Sequence, residues 1–372
     1  MDKNIKNMEE KEIRVIAFYL PQFHPTPEND QWWGKGFTEW TNVGKAKPLF
    51  RGHYQPRVPA DLGYYDLRVS ETRVEQAEMA RKYGVEGFCY WHYWFGNGRQ
   101  LLQRPFQEVL TSGQPNFPFC LSWANHSWED KQFSKEGTHK MLMEQLYPGE
   151  TDEIAHFNYL LPAFKDHRYI RVDGKPVFMV YAPFNLPDAK RFIQLWQRLA
   201  QDNGLKGIHF IGQTNNAGDV QTLKDMGFDA VNIVRLFEFF KQDYSIFEKM
   251  HMKIMRIVFK KGRIIEYAKA AKFFSGSEDR EVDCYPTIIP NWDHSPRSGR
   301  MGHILVHSTP EKFKKHVLQS FSNVVHKPMD KRLVFLKSWN EWAEGNYIEP
   351  DLKFGLSYLK ALKEAIEEIN SK

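Results

Sequence analysis

Eight short apolar, β-rich runs, separated by helix-like segments, limit how this chain can fold more than any other feature. They are RVIAFYL (14–20), VEGFCYW (85–91), PFCLSW (118–123), PVFMVYA (176–182), GIHFIG (207–212), AVNIV (230–234), CYPTII (284–289) and RLVFLKSW (332–339). Several are nearly continuous in apolar residues, as parallel strands covered on both faces are. The intervening segments read as helices. SETRVEQAEMARKYG (70–84) carries Val74, Ala77, Met79 and Ala80, with a serine to open it and a glycine to end it. Segments 188–204 and 309–324 repeat the theme. Alternation of this kind predicts a (β/α)8 barrel of the TIM type over a six-stranded open sheet. At 372 residues the chain is read as a single barrel domain spanning 1–372.

Two insertions interrupt the alternation. The first follows strand one, over 21–69, and is rich in Trp, Pro, Gly and His; a connection so long is usually functional. The second, 235–283, separates strands six and seven. Within 249–273 it carries eight Lys or Arg against the single acid Glu266, interleaved with Ile, Met, Phe and Val. That run fits contact with an anionic membrane surface or a lipid-linked glycan. The plainer alternative is a solvated helix with one face packed on the barrel.

Net charge is +5, which permits an anionic partner without demanding one. The positive charge is local and no nucleic-acid-binding motif accompanies it, so no nucleic acid is expected. The start, MDKNIKNMEEKEIR, has no apolar core of a secretory leader, and no run approaches the ~20 apolar residues of a membrane span. A cytoplasmic protein is expected, with membrane association through 249–273 as an option. Cys89, Cys120 and Cys284 sit in strand-like runs without CxxC spacing and are expected to be buried free thiols.

In a barrel the active site forms at the C-terminal ends of the strands. Those ends read YLPQFH (19–24), YWHYWF (90–95), SWANHSW (122–128), YAPF (181–184), GQTNN (212–216), PNWDHSPR (290–297) and SWNEWAEG (338–345). Aromatic residues make up 15% of the chain, with eleven Trp and sixteen Tyr, and offer stacking faces with polar edges. Beside amides and acids they make a surface suited to a sugar ring. The expected sugar contacts are His24, Glu39, Trp40, Trp91, His92, Trp123, Asn125, His126, Tyr181, Asn215, Trp292, Asn340 and Trp342. For Trp123, Asn125, Asn215 and Trp292 the alternative is rim packing, for His24, His92 and His126 a satisfied structural role, and for Glu39 support of Glu344 or a brace for its loop. The histidines lack HxH or HExxH spacing, so neither a metal nor another cofactor is expected.

Cleavage of a glycosidic bond typically needs two carboxyl groups, one giving a proton and one acting as base or nucleophile. Glu341 and Glu344 stand three residues apart after the eighth strand, where both can reach one cavity. The plainer alternative is two glutamates favoured by the dipole at a helix start. For a nucleotide-sugar transferase the chain offers no GxGxxG, no Walker loop and no Asp-x-Asp.

The stretches FYLPQFHPTPENDQWWGKGFTEWTNV (18–43) and SWNEWAEGNYIEPD (338–351) resemble the WbsX-type family. These are glycoside hydrolase family 99-like proteins, often encoded with O-antigen and capsular polysaccharide genes and commonly labelled glycosyltransferases. The resemblance covers essentially the whole chain. The related family 99 enzymes are retaining endo-α-mannosidases on a (β/α)8 barrel, and their two catalytic glutamates match Glu341 and Glu344. The resemblance implies that Glu341 acts as base on the sugar 2-hydroxyl, which attacks C1 to give a 1,2-anhydro sugar. It implies that Glu344 protonates the leaving oxygen and later activates water or an acceptor. The implied donor is an α-mannose-like or α-rhamnose-like unit of a surface polysaccharide. A glycosyltransferase extending that polysaccharide, and a barrel that binds carbohydrate without turnover, are the alternatives.

Overall fold

The computed structural model describes residues 13–130, 140–242, 245–258 and 262–371. The stretch 1–12, on which the expectation about a secretory leader rests, and positions 259–261 of the basic run lie outside the described residues. All eight expected strands form: β1 (Arg14–Tyr19), β2 (Val85–Trp94), β3 (Phe119–Trp123), β4 (Lys175–Val180), β5 (His209–Thr214), β6 (Ala230–Ile233), β7 (Cys284–Ile288) and β8 (Leu333–Leu336). Each pairs in parallel with the next, and β8 returns to β1 in the register Arg14↔Leu333 through Ala17↔Leu336. The sheet is therefore a closed (β/α)8 barrel without free edges.

The strands are buried along almost their whole length because one face fills the barrel and the other lies under helices. Inside, Phe18 stacks on Trp91 at 4.9 Å and on Phe335 at 5.4 Å. Gly87 is needed where β2 passes β3, since a Cβ there would sit 2.4 Å from the Pro118 carbonyl oxygen. Cys89 and Cys120 are register partners on β2 and β3, and all three thiols are buried and free.

The loop after β1 is not structureless. It holds α1 (Pro27–Trp33) and α2 (Glu39–Lys45), capped by the Thr26 and Thr38 side chains. The outer helices include α3 (Ser70–Lys82), α4 (Glu150–Lys165) and α5 (Ala189–Asp202). Ser70 opens α3 differently from expectation: it is the first helical residue, and its hydroxyl donates to Glu71 while Val69 takes the cap position. Gly84 closes α3 as expected, with φ of +87°. The face of α3 turned to the barrel is also partly polar, with Arg73 and Gln76 buried beside Ala77 and Ala80.

The insertion after β6 carries α6 (Ile246–Ile257) and a strand, Ile264–Glu266, that pairs with Ile304–Val306. It has its own apolar cluster, including Leu236, Phe239, Tyr267 and Phe274, packed against Trp292 and Leu305. The last helices are α7 (Pro310–Ser322), capped by Thr309, and α8 (Ser357–Asn370).

Candidate active site

A cleft of about 1140 Å³ opens at the C-terminal ends of the strands. Its walls combine aromatic faces (Trp33, Phe37, Trp91, Tyr93, Trp128, Tyr181, Phe237, Trp292) with Glu39, Glu341, Glu344, Arg297 and Lys337. The first loop, the insertion after β6 and the loops after β7 and β8 all contribute to it.

Glu341 and Glu344 leave β8 through a short turn, Trp342–Glu344, that ends at Gly345 with φ of +65°. Glycine is required at 345, since a Cβ would also lie 2.7 Å from the Asp293 Cβ. The Asp293 amide donates to the Glu344 carbonyl at 2.7 Å, tying the seventh loop to the eighth. Asp293 is itself buried among His53 (2.9 Å), Gln55 (2.7 Å) and Arg57 (3.5 Å). Burial works to raise its pKa, yet the His53 contact and the Arg57 charge outweigh it and hold the carboxyl well below its usual range.

The two glutamates have different partners. Glu341 is almost wholly buried; it accepts from the Ser338 hydroxyl at 2.9 Å and faces Lys337 Nζ at 3.7 Å. Burial first, then the Glu344 charge, raise the Glu341 pKa against the opposing pull of Lys337 and Arg297. Burial works to lower the Lys337 pKa, but Glu341 and Glu344 outweigh it and hold the ammonium above its usual value. Glu344 Oε1 accepts from Arg297 Nη1, and His294 Nε2 stands 3.8 Å away. Burial, followed by the Arg297 charge, pushes His294 down to about 4, so its imidazole is neutral at neutral pH. Arg297 also reaches Glu39 Oε2 at 3.2 Å and so bridges the first loop to the eighth. Its guanidinium, desolvated but flanked by Glu39 and Glu344, stays charged.

Of the residues expected from sequence, Glu39, Trp91, His126, Tyr181, Asn215, Trp292, Glu341 and Glu344 line this cleft. The others lie elsewhere. His92 follows Trp91 on β2 and so points to the opposite face, where its Nε2 lies 2.8 Å from that of His156 on α4. Burial pushes His92 down to about 3. Trp123 donates to the Trp94 carbonyl at 2.9 Å and packs outward on Phe192. His24 is buried, which lowers its pKa. Trp40 donates to the Tyr65 carbonyl at 2.7 Å and packs on Phe23 and Trp342.

Asn125 and Asn340 act as backbone mimics instead of ligand contacts. Asn340 accepts from the Leu20 amide at 2.7 Å and donates to the Leu20 carbonyl at 3.0 Å. Asn125 does the same to Ala182, at 2.8 Å both ways. Each extends the strand ladder by one side chain, at the β8–β1 and β3–β4 seams respectively. Trp342 stacks on Tyr347 at 3.7 Å and donates to Glu349 Oε2 at 2.6 Å.

Arg297, Lys337, His294 and Tyr93 escaped the sequence reading. Lys337 stands four residues before Glu341, a spacing that could have flagged the pair. Arg297 closes the run PNWDHSPR at the seventh strand end, but its two carboxylate partners lie 258 and 47 positions away. Among the described residues no cluster of His, Cys, Asp and Glu is arranged to hold a metal ion.

Fold and cleft together define a (β/α)8 barrel with a carboxylate pair at the strand ends, and solved structures of this build are similar to the chain. A glycoside hydrolase-like protein superimposes with a TM-score of 0.63 at 17% identity, covering 96% of this chain and 94% of that one. A GH99 endo-alpha-mannosidase from Bacteroides thetaiotaomicron, in complex with BIS-TRIS-propane, does so with a TM-score of 0.60 at 14% identity, covering 96% and 97%. At such identities the likeness is one of fold. The chain belongs to the family described as Glycosyltransferase WbsX, whose pattern it matches over residues 15–362. It is also 35% identical over 353 residues to the uncharacterized protein WxcX of Xanthomonas campestris pv. campestris, covering 95% of this chain and 49% of that protein. The chain thus spans about half the length of the curated relatives it matches.

Proposed function

We propose that this protein is a carbohydrate-active enzyme that works on α-linked, mannose- or rhamnose-like glycans of a bacterial surface polysaccharide, by retaining glycosidase or transglycosylase chemistry. The observation that carries the reading is the placement of Glu341 and Glu344 on one aromatic-lined cleft, each against its own cation. Aromatic faces such as Trp91, Tyr181 and Trp292 suit the apolar face of a sugar ring.

In the proposed first step Glu341 takes the proton of the sugar 2-hydroxyl and O2 attacks C1. The bond from C1 to the glycosidic oxygen breaks as Glu344 gives that oxygen a proton. In the second step Glu344 takes a proton from water or an acceptor hydroxyl, whose oxygen opens the 1,2-anhydro ring at C1, and Glu341 returns its proton to O2. Two inversions at C1 give overall retention. Lys337 and Ser338 orient Glu341 for the first transfer. The proton of Glu344 belongs on Oε2, opposite the Arg297 contact at Oε1.

The family's description favours a second reading, in which a nucleotide sugar is the donor and a growing polysaccharide the acceptor. Incubation with mannose- or rhamnose-containing oligosaccharides, and separately with nucleotide sugars plus acceptor, followed by NMR of the products, tests both. Cleavage or transfer between oligosaccharides, lost in Glu341→Gln and Glu344→Gln, is the expected outcome. Nucleotide release without any cleavage would replace it with the second reading. Sugar binding with no turnover in either mixture would leave a carbohydrate-binding barrel.

A further inference from the structure

We propose that residues 246–258, α6 and the residue after it, lie in the headgroup plane of an anionic lipid bilayer and seat the mouth of the cleft on that surface.

The helix is well made yet leaves its apolar side in water. Ser245 caps it and Glu248 returns the bond to the Ser245 amide at 2.9 Å. Nonetheless Ile246 is 77% exposed, Phe247 75%, Met250 56%, Ile254 46% and Val258 66%. Exposed large apolar residues such as Val282, Met329 and Leu352 stand singly along the described chain, and single ones need no explanation. Five within thirteen positions do. At about 100° per residue these five fall within one arc of about 120°. Positions 249, 253 and 256, which are Lys, Lys and Arg, fall in the neighbouring arc of about 60°. The sequence adds Lys260 and Lys261 just beyond.

An apolar stripe edged by cations on one flank is the pattern of a helix lying in a membrane interface. The apolar residues enter the acyl boundary while the lysine stems run along it and hold their ammonium groups among anionic headgroups. A second copy of the chain fits less well, because an antiparallel two-fold contact through this face would set the two basic flanks side by side. Among the described residues no helix is long and apolar enough to cross a membrane, so the contact is one of lying on the surface.

The insertion is also joined to the cleft. Leu236 and Phe237, at its start, line the cleft wall. At its far end the Gly262 amide donates to the Arg300 carbonyl, and Ile264–Glu266 pairs with Ile304–Val306. The segment between those partners and β7 carries Arg297 and the cleft-lining Met301, itself 41% exposed. A bilayer under α6 therefore lies beside the cleft mouth, where a glycan attached to a lipid would emerge.

Flotation of the full chain with vesicles tests this without any substrate, so its outcome is separate from that of the catalytic reading. With phosphatidylglycerol–phosphatidylcholine vesicles the protein is expected to float. With phosphatidylcholine alone binding should fall at least tenfold. The double variant Phe247→Glu/Ile254→Glu, at exposed positions, should lose at least tenfold on anionic vesicles while its circular dichroism is unchanged. Lys249→Glu/Lys253→Glu should remove the preference for anionic lipid. Equal flotation of wild type and both variants, or no flotation of the wild type, would overturn the proposal. So would a lipid-free dimer that the apolar variant converts to monomer without any vesicle binding by the wild type.

Discussion

Segment 338–351 holds three buried or part-buried glutamates that the fold treats in two ways. Glu341 and Glu344 open to the cleft, and each has a cation, Lys337 or Arg297, beside it. Glu349 is sealed behind them and is held by neutral donors: Tyr65 at 2.9 Å, Gln76 at 2.7 Å and Trp342 at 2.6 Å. Burial pushes Glu349 up to about 7 in spite of those donors. At the cleft the matched charges suit groups that exchange protons with a ligand while the site stays near neutral overall. Behind it, one carboxyl gathers donors from α3, the first loop and the turn itself, fixing the backbone that carries the pair. On the proposed reading, identical side chains thus serve as chemistry in one place and as a brace in the other.

Several substitutions would break or sharpen that contrast. The largest effect is expected at the cleft: Glu341→Gln and Glu344→Gln should each lower turnover by about 10³-fold, within the range of general acid–base catalysis, while thermal midpoints stay near the wild type. Steady-state rates on a cleaved oligosaccharide check this. Glu349 should instead show itself in stability. Its folded pKa of about 7 lies above an unfolded value of about 4.3, so the folded state binds the extra proton between those pH values. Stability is then full below about pH 4 and falls as pH rises to about 7, by about 3 kcal/mol. Urea unfolding across pH 4–8 should show this fall, and Glu349→Gln should flatten it.

Arg297→Met leaves Glu39 and Glu344 without their shared cation and should cost about 2 kcal/mol, less than for a sealed pair because the cleft admits water. Denaturant midpoints measure the loss, and a further Glu39→Gln change should recover part of it. Tyr65→Phe removes one donor from Glu349 and should cost about 1 kcal/mol. The loss should be greater at pH 8 than at pH 5, because the ionised carboxyl needs the donor more.

The barrel was legible because its strands are buried on both faces, and continuous apolar runs survive in sequence whatever the loops do. Strand ends could be located, but which way a side chain points there could not. Trp91 faces the cleft and His92 the helices because successive strand residues alternate, and β2 extends to Trp94, three residues beyond the expected end. Asn125 and Asn340 looked like sugar contacts because an amide after a strand serves a ligand or a neighbouring backbone equally well; only the approach of Ala182 and Leu20 decides. Arg297 was hidden because its meaning lies in partners from two distant loops. The apolar side of α6 read as a basic run, since charge is conspicuous in sequence and exposure is not.

The 2-hydroxyl is where the proposed chemistry is most exposed to test. Turnover of an α-mannosyl or α-rhamnosyl oligosaccharide should be compared with that of its 2-deoxy analogue, in wild type and in Glu341→Gln. If Glu341 works through that hydroxyl, the analogue should lose about 10³-fold in the wild type, and Glu341→Gln should add little further loss with it. Turnover of the 2-deoxy analogue within tenfold of its parent, or an unchanged rate for Glu341→Gln on the parent, would contradict it.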